Sequence, residues 1–167
     1  AGKRVLELIS TKPNIRSSEN AVILKTNRAE IEFSNVSFSF KDKPILKDIS
    51  FKINEGETVA LVGESGAGKS TLINLIPRFF DINRGRILIN NQDIRELNIK
   101  SLRAHIALIS QDSILFDNTV MENIRFGSQN ATETEIIDAA KKAAADDFIC
   151  ELKGGSVSYT HLRAHET

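Results

Sequence analysis

Residues 63–70, GESGAGKS, follow the spacing G-x-x-x-x-G-K-[ST], in which glycines precede a lysine and a hydroxyl. Glycines let the main chain turn so that consecutive N–H groups point at phosphate oxygens, and a following helix adds its positive end. Lys69 can reach the terminal phosphates of a nucleotide, and the Ser70 hydroxyl can ligate Mg²⁺. A chance match in a chain of this length has a frequency of roughly 1%. The predicted phosphate-binding loop comprises Gly63, Glu64, Ser65, Gly66, Ala67, Gly68, Lys69 and Ser70.

Two elements must hold this loop in place. TVALVG, residues 58–63, is continuously apolar, which predicts a strand buried on both faces. Residues 69–78 predict a helix with one apolar face, and Pro77 should end it. ALIS, residues 107–110, predicts a second buried strand that leads to Gln111. The apolar face of the helix consists of Leu72, Leu75 and Ile76.

Shorter strands precede and follow the loop. IEFSNVSFSF, residues 31–40, alternates apolar and polar residues, with the central Ser-Asn as a turn or bulge. ILKDISFKI, residues 45–53, alternates again, and GRILIN, residues 85–90, is a further strand before a turn at NQDI. Short strands with tight connections predict an antiparallel sheet, so an α/β core with an attached β layer is expected.

Helices are predicted after the β layer. IKSLRAHI, residues 99–106, is one, and Thr119 with Glu122 has capping-box spacing at the start of a second. Thr132 with Glu135 has the same spacing and begins a long helix over residues 132–152. The single cysteine, Cys150, has apolar neighbours in that helix, so we interpret it as a buried structural thiol.

Composition narrows the class of protein. The 167 residues carry 22 basic and 22 acidic side chains, so no global field recruits nucleic acid or an acidic membrane surface. No apolar run approaches the roughly 18 residues of a membrane span. A small-molecule kinase usually has its phosphate loop close to the chain start, and a GTPase should contain Asn-Lys-x-Asp downstream, so neither class is favoured.

Three features in order resemble a known family. Phe40 lies 23 residues before Gly63, Gln111 lies 42 residues after Lys69 within ALISQDSILFDNTVMENIRFG, and GRILINNQDIRELNIKSLRAHI lies between. From about Glu30 to Gly155 the chain resembles the first half of an ABC transporter nucleotide-binding domain of the exporter type, which includes lipid flippases and multidrug pumps. The resemblance implies a P-loop NTPase (RecA-like) α/β fold: a partial core, an antiparallel β subdomain and the start of a helical subdomain.

The resemblance also implies roles for single residues. Phe40 matches the aromatic residue that stacks on adenine, although a core aromatic remains the alternative. Gln111 matches the residue that contacts Mg²⁺ and the attacking water, although a turn glutamine remains the alternative. Thr71 would add a hydroxyl near the inner phosphates. The implied catalytic residues are Lys69 and Gln111, and the implied metal ligands are Ser70 and Gln111.

For the whole protein, the resemblance implies export of a lipid or another hydrophobic substrate, driven by binding and hydrolysis of ATP with Mg²⁺. Residues 1–29 are interpreted as a linker that follows a transmembrane domain of the same parent chain, before the nucleotide-binding part at 30–155. A second nucleotide-binding domain would be the other partner, at the cytoplasmic face of the inner or plasma membrane. Nucleic acid is not expected as a partner: an ABC ATPase of DNA repair is disfavoured by the neutral charge and the exporter-like linker.

Parts of the family pattern have no match in this sequence. The family uses an acidic residue at the end of an apolar strand, a later histidine and a Leu-Ser-Gly-Gly-Gln signature, and none has a candidate here. His105 precedes Gln111 and so cannot take the histidine role. The alternative function is therefore a nucleotide-binding fragment without turnover.

The last twelve residues, SVSYTHLRAHET at 156–167, differ in character from the rest. They back-translate to read-through into a transposase-type sequencing adapter, so we interpret them as a non-native tail, with a genuine disordered terminus as the alternative. On that interpretation His161 and His165 are not metal ligands, despite their His-x-x-x-His spacing.

Overall fold

The computed structural model describes residues 10, 11, 13–26, 28–109, 115–152 and 154–157. The chain divides into two compact units, Ala1–Leu108 and Ile109–Thr167. The described elements of the first unit are β1 (Ile31–Phe40), β2 (Lys43–Ile53), α1 (Lys69–Leu75), β3 (Arg84–Ile89), β4 (Gln92–Asp93) and α2 (Ile99–Ala104). Those of the second are α3 (Val120–Arg125), α4 (Glu133–Lys142), α5 (Asp146–Glu151) and a 3₁₀ turn, Gly155–Val157.

The first unit is built on a four-stranded sheet of order β2-β1-β3-β4, in which every neighbouring pair is antiparallel. This confirms the antiparallel sheet that the alternating segments predict. The pairing of β1 shifts register between Phe33 and Val36, and Asn35 has φ 49°, so the predicted Ser-Asn irregularity is a β-bulge. A Cβ at Gly85 would lie 2.3 Å from the Asn35 carbonyl oxygen, so the bulge requires glycine there.

The core of this unit lies between the sheet, α1 and α2. Leu72 and Leu75 are buried, and the last residue of α1 precedes Pro77 by two, as the helix prediction requires. The buried core consists of Leu24, Phe33, Val36, Phe38, Leu46, Leu72, Leu75, Ile87, Ile89, Ile94, Leu97 and Leu102.

Part of the predicted linker is attached to this core. Leu24 is 5% exposed, and its N–H donates to the Ser101 Oγ at 3.0 Å. The N–H of Val22 donates to the Glu96 carbonyl at 2.9 Å, and its carbonyl accepts from the Asn98 N–H at 2.8 Å. Residues 1–9 of the linker lie outside the described residues, and the boundary at residue 29 remains a prediction.

The two predicted buried strands are wrong. Residues 57–64 and 106–109 have no regular secondary structure, and Val62 and Ile109 are each 93% exposed. A strand buried on both faces needs a hydrogen-bonded strand on each side. Within the described ranges, neither segment pairs with another strand. The apolar composition of these two segments favours burial. The strands with which they would have to pair are not among the described residues.

The second unit begins its helices at the predicted caps. The Thr119 hydroxyl accepts from the Glu122 N–H at 3.1 Å, and Thr132 and Glu135 form a complete capping box. The long helix predicted over 132–152 is instead two helices, because Ala144 adopts a left-handed φ of 53° that ends α4.

The buried-thiol interpretation is also wrong. Cys150 is exposed, whereas its neighbour Ile149, on α5, is 5% exposed and packs with Val120 and Ala140. Adjacent residues of a helix face different directions, so burial of Ile149 leaves Cys150 toward solvent. Among the described residues, none of the helices is long and apolar enough to cross a bilayer.

Candidate phosphate-binding site

The glycine-rich loop has the conformation that its glycines predict. Gly66 and Gly68 have φ of 83° and 89°, in the left-handed region where side chains other than glycine are strained. The loop tightens between them through a hydrogen bond from the Ala67 N–H to the Glu64 carbonyl at 3.2 Å. Gly68 is the N-cap of α1 and supplies no side-chain cap, so the loop leads directly into the first turn of the helix.

The lysine closes the loop on itself. Lys69 Nζ donates to the carbonyl oxygen of Gly63 at 2.7 Å and to that of Glu64 at 2.6 Å. These bonds use two of the three N–H donors of the ammonium group. The positive charge is therefore held at the loop beside the residues predicted to contact phosphate.

The hydroxyl residues lie on the first turn of α1. Ser70 is exposed and Thr71 is partly buried, because the apolar face of the helix points Leu72 and Leu75 into the core. Mg²⁺ favours oxygen ligands, and it commonly takes one or two from the protein and others from phosphates and water. The exposed Ser70 hydroxyl can supply one such oxygen, and the phosphates and water would supply the others.

The end of the loop packs against β2. A Cβ built on Gly68 would lie 2.9 Å from Leu46 Cδ2 and 3.1 Å from Ile45 Cγ2. Leu46 pairs with Phe38 across the β1–β2 hairpin, and Phe40 is the last residue of β1. The predicted phosphate-binding loop and the predicted adenine-stacking ring therefore belong to neighbouring parts of one packed unit.

Phe40 is not enclosed in the core. It is 43% exposed, whereas Phe38 on the same strand is 4% exposed. Its ring contacts those of Phe38 and Phe80 edge to face, with centroids 4.8 and 4.9 Å away. The exposure is compatible with stacking on a base, although the stacking role itself remains a prediction.

Sequence reasoning did not single out Phe80. The available signal was a pair of phenylalanines, Phe79 and Phe80, directly after a helix that Pro77 ends. Exposed aromatic residues at such a position are candidates for contacts outside the core.

Gln111 lies outside the described residues, so its predicted place near the metal and the attacking water has no structural account here. The structure brings together the loop, Lys69, Ser70 and Thr71, with Phe40 on the adjoining hairpin. His105 lies at the end of α2, where its Nδ1 is 2.7 Å from the Ser101 carbonyl oxygen, which fits an ordinary helix-end residue.

A buried arginine fixes the turn that follows α1. Arg78 is 7% exposed with a left-handed φ of 55°. Its Nε donates to Asp81 Oδ1 at 2.6 Å, and its Nη1 donates to the Arg95 carbonyl at 3.2 Å. Its own carbonyl accepts from Arg103 Nη2 at 2.9 Å. These bonds connect the end of α1 to the β3–β4 region and to α2.

Comparison with known proteins places the chain in context. Residues 46–166 match the family model described as ABC transporter. The chain is 47% identical over 153 residues to an ATP-dependent lipid A-core flippase of Syntrophus aciditrophicus (strain SB), covering 92% of this chain. It is 49% identical over 154 residues to a protein of Bacillus subtilis (strain 168), and the match covers 91% of this chain. The name of that protein assigns it to multidrug export and describes it as an ATP-binding/permease protein.

A solved structure shows the same likeness. A bacterial Atm1-family ABC exporter with ATP bound superimposes with a TM-score of 0.88 at 42% identity, over 95% of this chain and 28% of that one. The present chain spans 26% of the length of the flippase and 27% of the Bacillus protein.

Proposed function

The chain belongs to the ABC transporter family, and on that premise we propose that its glycine-rich loop binds the triphosphate of ATP together with Mg²⁺. The observation that carries the proposal is the Lys69 ammonium, held by two carbonyls of a left-handed glycine loop at the start of α1. Main-chain N–H groups at such a position bind anions, and a lysine adds a full positive charge.

The proposed roles of single residues are those that the family resemblance implies. Lys69 contacts the terminal phosphates, Ser70 ligates the metal, and Thr71 approaches the inner phosphates. Mg²⁺, when bound, would neutralise charge on the phosphate oxygens. Phe40 would stack on the base, and Gln111 would contact the metal and the attacking water.

For the whole protein we propose an exporter that couples ATP binding and hydrolysis to movement of a lipid or another hydrophobic substrate across a membrane. The names of the relatives, a lipid A-core flippase and a multidrug export protein, support this proposal. A transmembrane domain of the same parent chain and a second nucleotide-binding domain would be its partners. The described part would lie at the cytoplasmic face of the membrane.

Binding and turnover are tested separately. The purified chain is titrated with a fluorescent ATP analogue with and without Mg²⁺, and phosphate release is measured on the same samples. We expect saturable, Mg²⁺-dependent binding that Lys69→Ala weakens about tenfold or more and that Lys100→Ala, at an exposed position of α2, leaves intact. Phosphate release that depends on Lys69 would show that this polypeptide hydrolyses ATP. ATP binding without phosphate release would make it a nucleotide-binding module. A folded chain that takes up no nucleotide would overturn the proposal.

A further inference from the structure

Three phenylalanine rings form a cluster in the unit that contains the phosphate-binding loop. Phe38, Phe40 and Phe80, here called the aromatic triad, have ring centroids 4.8, 4.9 and 5.8 Å apart. Phe40 meets both of the other rings nearly at right angles, at 85° and 88°. Edge-to-face contacts of this kind are favourable and directional, so they restrict the orientation of the Phe40 ring.

The triad leaves part of the Phe40 ring accessible. The three distances form a nearly equilateral triangle, so Phe38 and Phe80 lie to one side of Phe40. Rings on opposite faces of Phe40 would instead be separated by about twice the observed contact distance. The 43% exposure of Phe40 agrees with this geometry. One face of the ring is therefore free of the other two members of the triad.

Phe80 is held in place independently of Phe40. It lies in the short turn between Arg78 and Asp81, whose side chains form a two-bond ion pair, with Nε–Oδ1 at 2.6 Å and Nη2–Oδ2 at 3.2 Å. The Arg78 side chain is 8% exposed, so solvent screens this pair little on that side. A hydrogen bond from Arg78 Nη1 to the Arg95 carbonyl, 3.2 Å long, further fixes the turn. Phe80 thus offers Phe40 a rigid neighbour, whereas Phe40 stands at the end of a hairpin strand.

We infer that Phe80 is a positioning residue, which holds the Phe40 ring so that its free face can stack on the base of a nucleoside triphosphate. This inference rests on the proposed function and adds a residue that contacts neither phosphate nor metal. Without the Phe80 ring, Phe40 would lose one of its two edge-to-face contacts and sample more orientations. The base-dependent part of the affinity should then fall, while the phosphate-dependent part stays.

The test compares two ligands, Mg²⁺-ATP and Mg²⁺-tripolyphosphate, which has no base. The ratio of the dissociation constant of tripolyphosphate to that of ATP measures what the nucleoside, base and sugar together, contributes to binding. We expect Phe80→Ala and Phe80→Leu to reduce this ratio by about three- to tenfold, as loss of a favourable ring pair predicts. Phe80→Tyr keeps the ring and should retain the ratio. Phe79→Ala is the matched control, because Phe79 is 43% exposed against 36% for Phe80 and its ring contacts Arg103 rather than the triad.

A double variant separates positioning from direct contact. If Phe80 acts through Phe40, then Phe40→Ala combined with Phe80→Ala should lose no more base preference than Phe40→Ala alone. If the losses of base preference in the two single variants multiply in the double variant, the inference is overturned. It is also overturned if Phe80→Ala keeps the ratio of dissociation constants or weakens the binding of both ligands equally. Equal affinity of the unsubstituted chain for both ligands would overturn the inference but leave phosphate binding intact. Binding of neither ligand would overturn the proposed function as well.

Discussion

Lys69 and Gly63 are joined by a hydrogen bond of 2.7 Å, from the side-chain ammonium at one end of the loop to the carbonyl at the other. A second bond, to Glu64, is 2.6 Å long. The same lysine therefore holds the loop closed and supplies the charge that we propose contacts phosphate. Its removal should affect the ligand more than the fold, because the loop between these residues is exposed.

Lys69→Met keeps an apolar stem but removes the charge and both bonds. A hydrogen bond from the ammonium group to a phosphate would contribute about 1.5–3 kcal/mol, so without it ATP affinity should fall about ten- to hundredfold. Fluorescence titration measures the affinity, and urea unfolding should show a change below about 1 kcal/mol. Lys100→Met is the control, since the Lys100 side chain is exposed on α2. Unchanged affinity in Lys69→Met would contradict the role given to the lysine.

Gly68→Ala and Gly66→Ala separate steric conflict from backbone strain. Both residues have a left-handed φ, of 89° and 83°, so the strain of about 1–2 kcal/mol is common to the two substitutions. At Gly68 the new methyl would lie 2.9 Å from Leu46 Cδ2, whereas at Gly66 no heavy atom lies within 4 Å. Gly68→Ala should therefore be more destabilising by about 1 kcal/mol or more. Urea unfolding of both variants measures the difference, and equal losses would argue against close packing of the loop on β2.

Structural features that depend on residues close together in the sequence could be predicted from it. Alternation identifies β1 and β2 because one face of each is less exposed than the other, and Pro77 marks the end of α1 because its ring cannot continue a helix. The capping box at Thr132 and Glu135 begins α4 as predicted. The motif spacing at residues 63–70 predicts the left-handed glycines and the position of Lys69.

Features that depend on distant partners could not be predicted in the same way. Residues 58–63 are apolar enough for a buried strand, but pairing requires another strand alongside, and composition does not supply one. The contact between Phe80 and Phe40 joins residues 40 positions apart through the β1 hairpin and the turn after α1. Burial of Leu24 likewise depends on Ser101, which is 77 residues away.

Ala144 shows a conflict between helix propensity and a turn. Alanine favours helix, which is why the sequence predicts one continuous helix through it. In the structure the Ala144 N–H donates to the Lys141 carbonyl, and the Ala145 N–H donates to the Ala140 carbonyl. These two bonds form a Schellman motif. In this motif the residue at the position of Ala144 is left-handed, and in most proteins it is glycine.

Ala144→Gly should therefore stabilise the second unit by about 0.5–1 kcal/mol, because glycine adopts the left-handed φ of 53° without strain. Ala139→Gly, inside α4 and exposed, is the matched control and should destabilise by about 1 kcal/mol. Thermal unfolding followed by circular dichroism measures both. A loss of stability in Ala144→Gly would contradict the left-handed conformation of Ala144.

The capping box gives α4 a pH dependence. The Thr132 backbone N–H and then its hydroxyl hydrogen-bond the Glu135 carboxylate, and together they lower its pKa from the ordinary value of 4.5. A carboxyl whose pKa is lower in the folded state stabilises the fold above its unfolded pKa. That stability should be present above about pH 4.5 and decline as the pH falls through the lower folded value.

Glu135→Gln tests this pH dependence, because the amide oxygen can still accept hydrogen bonds but does not titrate in this range. Thermal unfolding from about pH 7 to about pH 3 should show a smaller loss of stability in the variant than in the unsubstituted chain. Thr132→Val should retain part of the lowering of the Glu135 pKa, since the backbone N–H of residue 132 can still donate to the carboxylate. Identical pH profiles for Glu135→Gln and the unsubstituted chain would remove the carboxylate from this role.

The most direct test of phosphate binding observes the main-chain amides themselves. Two-dimensional ¹⁵N–¹H spectra are recorded while Mg²⁺-ATP is added to the folded chain. We expect the N–H signals of Gly66, Gly68, Lys69 and Ser70 to shift most and to saturate together, while those of α4 stay in place. Saturation of nucleotide binding with these four signals unmoved, or with the largest shifts in the second unit, would contradict the account.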